Sequence, residues 1–125
     1  MKLLDTSVAV DHLRGVAVAT ALLADAIRSG EVVLASELVR FELLAGVRER
    51  ELGVVETLFA ALTWVPVDEQ VARVAGLLAR RYRRSHSGID AADFVIAATA
   101  LVLDADLLTT NVRHFPMLPG LRPPY

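Results

Sequence analysis

The chain contains no cysteine. That excludes disulfides, thiolate metal sites and cysteine nucleophiles, and it fits a reducing compartment such as the cytoplasm. Lysine is almost as scarce, Lys2 being the only one. A phosphoacceptor domain of the receiver type needs a lysine near its last strands, so that reading is disfavoured. No uncharged run comes near the ~18 residues that a membrane span requires. No apolar signal core is expected at the start, because Met1-Lys2-Leu3-Leu4 meets Asp5 at once. Nor is there an excess of positive charge: 13 basic and 15 acidic residues leave a net charge of −2. Global charge therefore gives no argument for nucleic-acid binding, and only a local patch can supply one.

What the chain does have is apolar mass. Hydrophobic residues make up 54% and charged residues 22%, the balance of a globular protein. A length of 125 residues suits one domain with a real core and is too short for two, so residues 1–125 are expected to form a single domain. The apolar excess implies a deeply buried sheet, or an apolar face kept for a partner.

Strands and helices alternate. Leu3-Leu4 reads as a first strand, with a short helix over Val8 to Leu13 and a longer one over Val16 to Arg28, stopped by Ser29-Gly30. The β-branched run Val32 to Ala35 predicts a second strand. Ser36 is a good N-cap for a helix reaching about Arg48. A further helix is expected over Glu51 to Leu62, then a strand over Trp64 to Val67 whose proline favours a sheet edge. Asp68 caps a helix reaching about Arg84, and Asp90 opens another reaching about Leu103. Asp106 to Thr109 reads as a strand. The tail from Phe115 holds four of the five prolines and is expected to be extended, with room for one last short strand. The pattern predicts an α/β fold, a three-layer α/β/α sandwich around a parallel sheet of four to five strands.

Acidic residues stand out against this apolar background. Asp5 follows the first strand directly, where open parallel sheets bind ligands. Glu42 shares a helix stripe with Leu38, Val39, Ala45 and Gly46. Asp93 is the only charged residue between Ala91 and Leu103, and a helix apolar all round must be buried. A buried carboxylate costs several kcal/mol unless it is paired or metal-bound. Each position also has a plainer reading. Asp5 can form an Asx-turn, Asp93 can serve backbone N–H groups in a first turn capped by Asp90, and Asn111 can be a turn residue. The four positions nevertheless agree in topology, because all can approach one carboxyl-end edge of a parallel sheet. Carboxylates gathered without a cationic residue call for a hard divalent cation with oxygen ligands, Mg²⁺ or Mn²⁺. Such an ion suits hydrolysis of a nucleic-acid backbone.

Four stretches then bear a family likeness: Leu3-Leu4-Asp5-Thr6-Ser7; Glu37-Leu38-Val39-Arg40-Phe41-Glu42-Leu43-Leu44-Ala45-Gly46; Asp93-Phe94-Val95-Ile96-Ala97-Ala98-Thr99-Ala100-Leu101; and Leu107 to Phe115, ending in Pro119-Gly120-Leu121. In order, spacing and length the chain resembles PIN-domain ribonucleases, specifically VapC-type toxins of bacterial toxin–antitoxin pairs. The resemblance implies metal-binding catalytic acids at Asp5, Glu42 and Asp93, and supporting hydroxyls at Thr6, Ser7 and Thr109. The family's fourth acidic slot holds Asn111 here, a departure that leaves Asn111 and Asp90 as contributors through water. The resemblance further implies Mg²⁺ or Mn²⁺ as cofactor, cleavage of structured RNA such as tRNA or rRNA, a homodimer, and a cognate VapB-type antitoxin that covers the site.

RNA-contacting candidates are Arg80, Arg81, Arg83 and Arg84, with Tyr82 available for stacking, and Arg113 and His114 beside Asn111. The arginine run can equally be a solvated helix end favoured by the dipole, and His114 a plain surface residue. Leu43, Leu44, Val47 and the Glu51–Leu62 helix offer more apolar surface than one stripe needs; ordinary core accounts for most of them, and the remainder can form a groove for an antitoxin helix. A haloacid-type phosphatase would carry a second aspartate two residues after the first, where Ser7 stands. The strongest alternative is a catalytically silent PIN-like binding module.

Overall fold

The computed structural model describes all residues from Met1 to Tyr125. Four short strands form one wholly parallel sheet: β1 (Lys2–Leu4), β2 (Val33–Ser36), β3 (Thr63–Val65) and β4 (Asp106–Leu108), in the order β3-β2-β1-β4. The sheet thus stops at four strands, and no strand forms in the proline-rich tail. β3 is an edge strand, and it ends at Val65, directly before Pro66, instead of running to Val67.

Six α-helices cover the sheet: α1 (Thr6–Leu13), α2 (Ala17–Arg28), α3 (Glu37–Gly46), α4 (Leu52–Ala60), α5 (Glu69–Tyr82) and α6 (Ala91–Leu103). Helix α1 packs on both α2 and α3, α3 packs on α4, and α5 packs along α6. Parallel crossovers are right-handed. The steps from β1 to β2 to β3 and the return to β4 run in opposite directions across the sheet, so they lay these two groups on opposite faces. This is the expected three-layer sandwich.

Local chemistry sets the element ends. Asp5 sits in extended backbone (φ −83, ψ 156) before α1, which therefore starts at Thr6, two residues earlier than the apolar pattern predicts. Ser36 is both the last residue of β2 and the cap of α3, its hydroxyl accepting from the Leu38 N–H at 3.1 Å. The helix expected to run to Arg48 stops at Gly46, and a 3₁₀ turn (Glu49–Glu51) precedes α4, where the Glu51 carboxylate accepts the Arg48 N–H at 3.0 Å. Asp68 caps α5 by accepting from the Val71 N–H at 3.0 Å. Asp104, in the left-handed conformation (φ 51), ends α6.

Twenty-six buried apolar residues form the core. Leu3 and Leu4 of β1, Val8 and Ala9 of α1, and Phe94, Ile96, Ala97 and Ala98 of α6 are among the deepest. The chain reverses its direction of strand addition between β1 and β4. In such sheets the carboxyl-end crevice at that reversal is where ligands bind. No single helix is long and apolar enough to cross a membrane.

Candidate active site

Asp5 lies at the carboxyl end of β1, its N–H still bonded to the Leu108 carbonyl of β4 at 3.0 Å. Its side chain is only 4% exposed. Two hydroxyls donate to the same carboxylate oxygen, Oδ2: Ser7 at 2.9 Å and Thr109 at 2.6 Å. Each hydroxyl is aimed from behind. The Thr110 N–H donates to Ser7 Oγ at 3.1 Å, and the Asn111 N–H donates to Thr109 Oγ1 at 3.0 Å. With those lone pairs engaged, both hydroxyl protons point at Asp5. No other group of the protein hydrogen-bonds Oδ1, which stays available.

Glu42, half-buried on α3, accepts from Thr6 Oγ1 at 2.8 Å. Thr6 therefore ties Glu42 to the residue next to Asp5, across the contact between α1 and α3. Asp93 is held differently. It forms a reciprocal capping box with Asp90: the Asp93 N–H donates to Asp90 Oδ1 at 3.1 Å, and the Asp90 N–H donates to Asp93 Oδ2 at 3.2 Å. His114 Nδ1 also stands 3.2 Å from Asp93 Oδ2. Both neighbours crowd one oxygen and leave Oδ1 uncommitted. Burial pushes the Asp93 carboxyl up to about 6; the Asp90 hydrogen bond opposes this, the Asp90 charge adds to it, His114 opposes it, and Asp5 adds again. Asp93 is thus a capping residue and a strained carboxylate at once.

No lysine or arginine forms an ion pair with Asp5, Glu42 or Asp93. No three acidic or imidazole side chains stand close enough to make a ready-made metal cage either. The donor set still fits a hard cation of the Mg²⁺ type. That ion keeps several waters and takes only one or two carboxylates directly, and here oxygen donors with free lone pairs lie beside buried, mutually repelling charge.

The remaining candidates fall around this centre. Asp90 is exposed, and its side chain caps α6. Asn111 is exposed and uses only its backbone N–H, leaving its amide free at the rim. The contact of His114 with Asp93 has no local sequence signal, because it spans the β4 turn. Arg113 is exposed and unpaired. Arg80, Arg81, Arg83 and Arg84 are exposed at the end of α5. Tyr82 is not free for stacking: it is half-buried against the core, with its ring 5.8 Å from that of His86. A groove of about 520 Å³ opens beside Glu42, its apolar wall formed by Val10 and Leu13 of α1, Leu43 of α3, Val47 just after it, and Val54 and Val55 of α4, with Arg14, Arg48 and Glu51 also lining it. Leu58 and Phe59, by contrast, are ordinary core.

The model of the PIN domain family matches residues 2–119. Ribonuclease VapC19 of Mycobacterium tuberculosis is 66% identical over 125 residues, covering 100% of both chains. Ribonuclease VapC10 of the same organism is 44% identical, covering 100% of this chain and 93% of its own. Among solved structures, a toxin–antitoxin complex from Klebsiella pneumoniae superposes with a TM-score of 0.81 at 20% identity, over 100% of this chain and 98% of that one. VapBC2 from Rickettsia felis, bound to a DNA fragment from its promoter, gives 0.83 at 19% identity, over 96% and 94%. At such identities the superpositions speak for the fold.

Proposed function

As the chain belongs to the PIN-domain family, we propose that it is a Mg²⁺- or Mn²⁺-dependent endoribonuclease, the toxin of a toxin–antitoxin pair. The observation that carries this reading is Asp5. It is a buried carboxylate without a cationic partner, held through one oxygen with the other left open, and it repels the equally crowded Asp93.

Asp5 and Asp93 would hold the cation, with Glu42 placed to act through water. When bound, the cation lowers the pKa of a water and stabilises negative charge developing on the phosphodiester. The chain's own residues do the rest. Ser7 and Thr109 keep Asp5 oriented. Thr6 fixes Glu42. Asp90 pins Asp93 at the head of α6 and adds negative charge beside it, offsetting the charge that Asn111 lacks. The Asn111 amide can orient a water at the rim.

The names of the relatives support RNA as substrate, and structured RNA such as tRNA or rRNA is the reading we adopt, with arrest of translation as the consequence. The VapBC neighbours support a VapB-type antitoxin as partner, and we adopt the homodimer and the cytoplasmic setting that the family resemblance implies. The groove beside Glu42 suits an apolar antitoxin segment that would also cover the acidic site.

Purified protein is expected to cleave RNA with Mg²⁺ or Mn²⁺ and to stop on chelation. Asp5→Asn should lower the rate by about 100-fold or more, the scale of losing metal-assisted activation, without loss of helical signal. An Asp5→Asn protein that cleaves as fast as wild type would overturn the assignment.

A further inference from the structure

We infer that the end of α5 and the turn after it, Arg80, Arg81, Arg83 and Arg84, form a phosphate-binding surface that grips the RNA backbone next to the cleavage site. The inference rests on RNA being the substrate.

Charge distribution is the first argument. Removing these four residues from the 13 basic ones leaves nine against 15 acidic ones, so the positive charge is concentrated here on an otherwise acidic molecule. On the α-helices, the other arginines are neutralised locally, Arg28 by Asp25, Arg40 by Glu37 and Arg73 by Glu69, while Arg14, Arg48, Arg50, Arg113 and Arg122 are unpaired but scattered along the chain. None of the four has a carboxylate within ion-pair reach, although all are exposed. The α5 dipole offers only about half a negative charge at its C-terminus, too little to balance four cations. Unbalanced like charge at this density is a cost to the free protein, and an incoming polyanion would relieve it.

Position is the second argument. The guanidinium of Arg83 lies 5.8 Å from the centre of the Phe94 ring, and Phe94 follows Asp93 directly. The basic surface therefore begins against the first turn of α6, the turn that also carries Asp93, and the acidic centre has no lysine or arginine paired with it. A phosphodiester bound there would extend its neighbouring phosphates onto these arginines. The residue type is the third argument. All four are arginine, whose planar fork matches phosphate oxygens in pairs.

The test separates binding from cleavage. In the Asp5→Asn background, which keeps RNA uncut, Arg80, Arg81 and Arg84 are changed together to Gln; Arg83 is retained because it packs on Phe94. Binding of a fluorescein-labelled single-stranded RNA of about 20 nucleotides is followed by anisotropy across a salt series. Loss of three phosphate contacts should weaken binding by about tenfold or more and flatten the slope of log affinity against log salt by about 2. The triple Lys variant should keep most of that slope, since its charge is unchanged. A Gln variant with the affinity and salt slope of its parent overturns the inference. So does one that binds RNA normally but fails to bind the antitoxin, which would make the patch a protein contact. If the wild type never cleaves RNA but the Gln variant still loses binding, the ribonuclease reading falls and the surface stands.

Discussion

Asp93 carries the sharpest consequence at the scale of a single residue. Its carboxyl is raised from the ordinary 3.8 to about 6, first by burial. An acid with a raised folded-state pKa holds its proton in the native state while the unfolded chain has already lost it. The native state thus binds more protons between these two values, and stability falls as pH rises through that window. With a side chain only 14% exposed, the cost at pH 7 is on the order of 2–3 kcal/mol without metal. Asp93→Asn keeps an oxygen for the Asp90 N–H and has no charge to bury. In urea denaturation with a chelator, this variant should be more stable than wild type at pH 7, and the gap should close towards pH 4. Equal stabilities at pH 7 would show that the Asp93 carboxylate is well solvated. The same titration sets the cleavage profile: activity should rise with pH through about 6, as Asp93 becomes free to take a cation.

At the scale of the element, α6 shows why a functional carboxylate and a helix cap can be one residue. Its capping box uses Asp93 Oδ2 and the Asp90 side chain, and it orients the open Asp93 oxygen as a by-product of starting the helix. Asp90→Ala removes the acceptor for the Asp93 N–H and should cost about 1 kcal/mol, whereas Asp90→Asn keeps the cap and should cost only a few tenths. Equal losses in urea denaturation would assign the effect to charge instead of the cap. Composition made this helix legible, since its apolar run and its single charge are plain in the sequence. The sequence treated capping and ligation as alternatives for Asp93, because spacing cannot tell which of the two oxygens faces where. The start of α1 and the end of α3 differ from the apolar pattern for a related reason. Both are decided by extended backbone, at Asp5 and at Val47, not by apolar periodicity.

At the scale of the whole molecule, the parallel sheet was readable from the alternation of strands and helices, and its reversal between β1 and β4 explains why residues 100 positions apart meet. The bond of Asp5 with Thr109 depends on that register, that of Glu42 with Thr6 on the packing of α1 against α3, and the contact of Asp93 with His114 on the turn after β4. Pattern alone could bring the acids to one edge. It could not say that Asp5 would be gripped through a single oxygen, nor that His114 would crowd Asp93. The same architecture separates three surfaces: an acidic centre at the sheet edge, a basic surface at the end of α5, and an apolar groove between α1, α3 and α4. Each has a different chemistry and so suits a different class of ligand.

The central claim is that the open oxygens of Asp5 and Asp93 take a divalent cation. Calorimetric titration of Mn²⁺ into the metal-free protein near pH 7.5 tests it without reliance on any RNA. Wild type should bind, and Asp5→Asn should bind at least about tenfold more weakly, in line with the loss of a ligand that must be deprotonated. Identical Mn²⁺ affinity in the two proteins would contradict it.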